Sequence, residues 1–194
     1  MKNKIKAAVS LLLSLLLALG CMGTSAFAAD RNLGNVTLAF LTETGSITVE
    51  QNLNAVEQLG ITGGPVAGVE YTLAQIGSLC EITYAGGYMT GYAVKQSTAS
   101  TLGIADDANY TGSHNRTDYC IYTNAATLEA LAKEIAKLET EDLQGQFPSG
   151  QTQKTNANGE AKFETLEYGL YLILQTDVSG AEYEGEPITL SHLQ

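Results

Sequence analysis

The chain has 194 residues, with 10 Lys+Arg against 21 Asp+Glu and a formal net charge of -11. An anionic excess of that size repels phosphate backbones and anionic lipid, so it argues against nucleic acid as a partner and against membrane binding through a basic face. Apolar content of 44%, with 20 Gly and no Trp, fits a packed domain of ordinary size and not a disordered chain.

Three of the ten cations, Lys2, Lys4 and Lys6, open the chain. Ala7 to Leu19 is an apolar run, shorter than the roughly 20 residues that span a bilayer. Ala26-Phe27-Ala28 is a small-residue exit. Together these predict a secretory signal peptide over 1–28, cut between Ala28 and Ala29. Its removal leaves seven cations against 21 anions, a net charge of -14, and no membrane-inserted segment. Ala18-Leu19-Gly20-Cys21 is a loose match to a lipobox, in which Cys21 would become the lipidated first residue. Ala18 stands where that motif has Leu, and processing at Ala28 is the preferred reading.

Residues 29–44 read as a lead-in, with Val36 to Thr42 a strand or its approach. Gly45 to Gln51 alternates, with Ile47, Val49 and Gln51 on one face. Gly60 to Gly68 is rich in breakers. Val69 to Ile76 alternates again, with Val69, Tyr71 and Leu73 inward and Glu70 and Thr72 outward. Two stripes at period two predict a half-buried antiparallel sheet. Residues 77–150 read as an insertion, of which 77–124 are rich in Gly, Ser, Thr and Asn and weak in period. A helix is predicted within the insertion: Asn124 or Thr123 caps it, Leu128, Leu131, Ile135 and Leu138 share one face, and Glu129 and Lys133 form an i,i+4 pair. Asn158-Gly159 is a hairpin turn. Leu170 to Thr176 is a nearly continuous apolar strand, expected to be covered on both faces. Pro187 to Leu193 begins a further strand.

Chemistry-bearing patterns are sparse. His114 and His192 are far apart in sequence, and no metal site or cofactor is predicted. Asp106-Asp107 and Glu139, Glu141 and Asp142 read as solvated charge, or at most a weak calcium site. Neither a G-x-S-x-G nor an H-E-x-x-H pattern occurs, and the chain is not expected to be an enzyme. Beyond the leader, Cys80 and Cys120 are candidates for one disulfide in an exported protein, although spacing alone does not bring them together. Tyr84, Tyr88, Tyr92, Tyr110, Tyr119 and Tyr122 all fall in the insertion. Tyrosine is common at recognition surfaces.

Two stretches carry a resemblance. The first is Gly64-Pro65-Val66-Ala67-Gly68-Val69-Glu70-Tyr71-Thr72-Leu73. The second is Thr155-Asn156-Ala157-Asn158-Gly159-Glu160-Ala161-Lys162-Phe163-Glu164-Thr165-Leu166, followed by Tyr168-Gly169-Leu170-Tyr171-Leu172-Ile173-Leu174-Gln175-Thr176. Together they resemble the amino-terminal domain of the Gram-positive backbone pilins, a family related to the Cna-B-type domains of surface adhesins. The resemblance covers about 45–194, with the insertion matched in layout only. It implies an Ig-like, Cna-B-like antiparallel β-sandwich with a helix-containing insertion, whose inner faces carry Ile47, Val49, Val69, Tyr71, Leu73, Phe163 and part of Leu170–Leu174.

Many domains of that family staple themselves with a Lys–Asn isopeptide bond assisted by a buried Glu. The resemblance puts Gln51 at the Lys position and Gln175 at the Glu position. An amide is neither a useful nucleophile nor a proton relay, so no self-crosslink through these positions is expected. The two glutamines are expected to hydrogen-bond each other inside the sandwich. The family's pilin-motif lysine and L-P-x-T-G sorting signal do not occur, and the domain reads as incomplete at its carboxyl end. The function implied is that of a structural subunit of a sortase-assembled pilus on the cell wall, supporting adhesion, with other pilin subunits and the sortase as partners and host matrix or glycan as candidate ligands. The alternative is a secreted adhesin or a carbohydrate- or matrix-binding β-sandwich module.

Overall fold

The computed structural model describes residues 32–55, 62–138, 140–147 and 150–188. The leader, Cys21, the cut between Ala28 and Ala29, His192 and most of the expected last strand lie outside the described residues. Among the described residues no helix is long and apolar enough to cross a membrane.

The elements run β1 (Asn32–Asn35), β2 (Thr37–Phe40), β3 (Thr44–Glu50), β4 (Asn52–Leu53), β5 (Gly64–Ala67), β6 (Glu70–Tyr84), β7 (Gly87–Lys95), α1 (Gln96–Thr101), a 3-10 turn (Ala105–Asp107), β8 (Tyr110–His114), β9 (Thr117–Tyr122), α2 (Ala125–Ile135), α3 (Thr140–Gln146), β10 (Gln151–Lys154), β11 (Glu160–Glu167), β12 (Gly169–Asp177), β13 (Glu182–Tyr183) and β14 (Glu186–Pro187). The protein is mainly β, in a sandwich-like arrangement of antiparallel sheets with helices on one side.

The larger sheet is organised on β6. It pairs with β7 and β10 along one edge and with β2 and β12 along the other. The second layer is built from β11–β3 and from β4, β5, β13 and β14. Between the layers lies a core of Val49, Leu53, Val66, Val69, Tyr71, Leu73, Ala161, Phe163, Leu166 and Ile173, with Ile47 packed against it. This is the inner face expected from the two alternating stripes. Each Val, Leu, Ile or Phe side chain fully buried there contributes roughly 1.5–3 kcal/mol.

The opposite face of the larger sheet is covered by helices. Leu170, Leu172 and Leu174 of β12 share a core with Ala99 of α1, Leu128, Leu131 and Ile135 of α2 and Leu143 of α3. The unbroken apolar run of β12 is therefore covered on both faces, by helices on one side and, through Ile173, by the second sheet on the other. The predicted helix is α2. Asn124 caps it by accepting the Thr127 N–H at 3.0 Å, and Lys133 lies 2.7 Å from Glu129.

The expected loop-rich insertion is largely sheet. β6 runs through residue 77 without a break, and β7, β8 and β9 extend its sheet. Period two fails there for two physical reasons. Glycines sit where strands press together: a Cβ on Gly77 would lie 2.8 Å from Val94 Cγ2, and one on Gly91 would lie 2.9 Å from the Tyr122 carbonyl oxygen. A bulge also resets the pattern. Gly77 pairs with Leu170 and Gln75 with Tyr171, leaving Ile76 as an extra residue in β6. Before the bulge the odd residues Val69, Tyr71 and Leu73 face the second sheet; after it the even residues Cys80 and Ile82 enter a third core.

That third core lies inside a ring. β1 and β2 are one stretch, interrupted only at Val36, and β1 pairs in parallel with β8 while β2 pairs antiparallel with β6. The first strand therefore joins both edges of the sheet β8–β9–β7–β6 and closes it. Val36 N donates to Ser113 O at 2.7 Å, and His114 Nδ1 sits 3.2 Å from both the Leu38 nitrogen and the Val36 oxygen, stitching the seam. Val36, Leu38, Cys80, Ile82, Ala93 and Ile121 fill the interior. Residues read as a lead-in are thus integral to the fold.

Candidate functional site

The two motif stretches meet at one junction. Gln51, between β3 and β4, donates its N–H to Gly159 O at 2.8 Å and accepts Val66 N–H at 2.9 Å. Its side-chain Oε1 accepts a hydrogen bond from the Tyr71 hydroxyl, across from the other sheet. One residue thus ties the β10–β11 turn, β5 and β6 together. Burial pushes the Tyr71 phenol above its ordinary pKa, which keeps it a neutral donor.

Glycines make this junction possible. Gly159 has φ +74°, and a Cβ there would lie 2.4 Å from Gln51 O and 3.1 Å from Pro65 Cβ. Gly68 has φ +76°, and its Cβ would lie 1.9 Å from Gly180 O. Both need the left-handed region and the missing side chain at once. The turn before Gly159 is shaped by Asn156, whose Oδ1 accepts from Asn158 N at 2.8 Å and Glu160 N at 3.1 Å. Thr155, buried, completes the contact: Val69 N donates to its Oγ1 at 3.0 Å, its own N–H donates to Val69 O at 2.9 Å, and Gly68 N donates to its O at 2.8 Å.

The two glutamines do not bond each other as expected. Gln51 is held by Tyr71, and Gln175 pairs opposite Tyr71 in the β12–β6 register with its side chain exposed. Both flank the same tyrosine, which the sequence reading placed in the core without seeing its hydroxyl as the partner. The Gln175 position is solvated because β12 has no neighbour beyond β6 among the described residues. Among the described residues no amine is buried beside either position: Lys95, Lys133, Lys137, Lys154 and Lys162 are all exposed. Lys154 lies 3.8 Å from Glu70 at a solvated sheet edge. What the junction offers is a hydrogen-bonded coupling of the two sheets.

The remaining candidates are dispersed. Cys80 and Cys120 are free thiols and do not form the expected disulfide. Cys80 faces the ring interior, while Cys120 faces the helices with Tyr122 and Val94. The side chains leave opposite faces of one sheet, which no disulfide geometry bridges. Burial pushes the Cys80 thiol from about 9 up to about 11, and raises Cys120 as well, with Asp106 adding to it. The insertion tyrosines do not form one recognition surface. Tyr122 is fully buried and donates to Ile104 O at 2.6 Å, Tyr92 packs toward the helices, and Tyr84, Tyr110 and Tyr119 pack against the ring core. Tyr88 alone of the six is largely exposed, at a hairpin tip. Asp106 and Asp107 lie in the 3-10 turn, Asp142 is exposed on α3, and no group of three His, Cys, Asp or Glu able to hold a metal occurs among the described residues.

No protein-family model, curated protein or solved structure matches the chain.

Proposed function

We propose that the chain is a structural module of an exported surface assembly, the amino-terminal domain of a pilus shaft subunit of the sortase-built type. The observation that supports this reading is the junction itself. The residues that carry the resemblance, from Pro65 to Tyr71 and from Thr155 to Gly159, are those that lock the two sheets together around Gln51. A module built to transmit load needs its sheets tied by short backbone contacts. The acidic surface and the secretory leader read from sequence fit an extracellular location. The partners of such a module are other pilin subunits and the sortase, and the chain itself performs no catalysis.

The test is made on the cell surface of the source bacterium. Antibody against this chain is expected to label a ladder of products that resist heat and detergent, and deletion of the sortase is expected to collapse that ladder to the monomer. A single band at monomer mass in both strains would refute the assignment.

A further inference from the structure

Beyond this structural role, and independent of it, we propose that a cleft beside the β6 bulge binds a neutral pyranose sugar. The cleft has a volume of about 470 Å³, within the roughly 300–1,000 Å³ typical of small-molecule sites. Among the residues that line it are Leu73, Gln75, Phe147, Gln151, Thr165, Glu167 and Tyr171.

The cleft exists because two strands depart from regular pairing at the same place. In β6 the extra residue Ile76 shifts the register against β12. In β11 the register shifts between Phe163 and Leu166 against β3, and Thr165 takes φ +58°. A β-branched residue in the left-handed region is costly, on the order of 1–3 kcal/mol, and such strain gathers at ligand sites. Close contact fixes the third wall. A Cβ on Gly150 would lie 2.6 Å from Thr72 Cγ2, so glycine lets Gly150 and the start of β10 lie against the β6 edge.

The lining chemistry selects the ligand. Tyr171 and Phe147 are half-buried aromatic side chains in the lining, the kind of group that takes the C–H face of a sugar. The Tyr171 ring is held by its hydroxyl, which donates to Glu167 O at 2.6 Å. Gln75 and Gln151 supply amide donors and acceptors, and neither side chain has a hydrogen bond among the described residues. Among the described residues no Lys, Arg or His lines the cleft and Glu167 is the one charged lining residue, which disfavours anionic sugars and phosphates. Paired amides beside aromatic rings suit vicinal hydroxyls, whereas a cation would depend on Glu167 alone.

The test uses the full chain and saturation-transfer NMR with the methyl pyranosides of glucose, galactose, N-acetylglucosamine and N-acetylgalactosamine, alongside sialic acid and choline. At least one neutral pyranoside is expected to bind, with transfer strongest to the protons of one ring face. Gln151→Ala, at an exposed position, is expected to weaken binding about tenfold with an unchanged melting midpoint. Tyr171→Ala is expected to abolish the one-face pattern, while Glu167→Gln leaves neutral-sugar affinity within about twofold. Failure of all four pyranosides, binding insensitive to Gln151→Ala, or binding of choline or sialic acid in their place would overturn the proposal.

Discussion

Replacing Gly159 by Ala asks whether the sheet junction depends on close approach or only on an unusual backbone angle. Gly159 has φ +74°, and an added Cβ would meet Gln51 O at 2.4 Å and Pro65 at 3.1 Å. Gly185 is the control, with φ +82° and nothing within 4 Å of its Cβ. An L-residue at such an angle costs about 1 kcal/mol whatever surrounds it, so Gly185→Ala should lose that much. Gly159→Ala carries the same strain and must also move the turn away from Gln51. That movement breaks the hydrogen bond from Gln51 N and loosens the one accepted by Gln51 O, each worth roughly 1 kcal/mol. The expected losses are therefore about 3 kcal/mol for Gly159→Ala and about 1 kcal/mol for Gly185→Ala. Urea unfolding of both variants at one pH, with equal slopes, reads the difference directly. Equal losses would mean that the junction yields freely, and the account of Gln51 as the tie between sheets would fall.

Other outcomes follow from the same geometry. Thr155→Val keeps the shape but removes the acceptor for Val69 N–H at a buried site; it should destabilise by about 1–3 kcal/mol, with Thr155→Ser nearly neutral in the same thermal melts. His114→Ala should open the ring seam, and hydrogen exchange should show the Leu38 amide, which donates to His114 Nδ1, losing protection before the amides of β6. Stability should be flat across neutral pH and fall in alkali. Burial raises the folded-state pKa of Cys80 to about 11, so its stabilising effect is complete below the unfolded value near 9 and is lost as pH climbs between the two. Tyr71, Tyr92 and Tyr122, also raised by burial, extend the loss upward; a urea midpoint that held constant from pH 9 to 10.5 would contradict this. Because the two thiols lie in separate cores, non-reducing and reducing gels should agree, and both cysteines should react with a thiol reagent only after denaturation.

The sandwich was legible where one pattern ruled one strand. Ile47 and Val49, Val69 to Leu73, and Ala161 and Phe163 alternate because β3 and β11 have one wet face and the Glu70–Thr72 end of β6 is only half covered on its far face, and all of them reach the same core. The α2 stripe was legible for the same reason, with Leu128, Leu131 and Ile135 facing the sheet. α1 was not, since Gln96–Thr101 is made of small polar residues and is held by a single buried side chain, Ala99. The closed ring was also hidden. Its seam depends on which edges β1 and β2 find, and residues 32–40 carry no mark of pairing with strands some 40 and 80 positions away.

The junction and the cleft fail to show in sequence for opposite reasons. At the junction every residue is conspicuous, yet its partners are backbone atoms: Gly159 matters because of Gln51 O, and Gly68 because of Gly180 O. A pattern of glycines announces close approach without saying to what. In the cleft no residue is conspicuous. Gln75, Gln151 and Thr165 would pass as ordinary solvent-facing positions, and they converge because two strands each carry one residue too many for their neighbour. Bulges are therefore where reading by period stops working and where a sheet acquires concavity. If the sandwich core makes the module rigid, the two irregular places supply a concave surface on it large enough to hold something small. Straightening β11 by deleting Thr165 should then regularise the β3–β11 ladder, leave the core between the sheets intact, and erase the cleft.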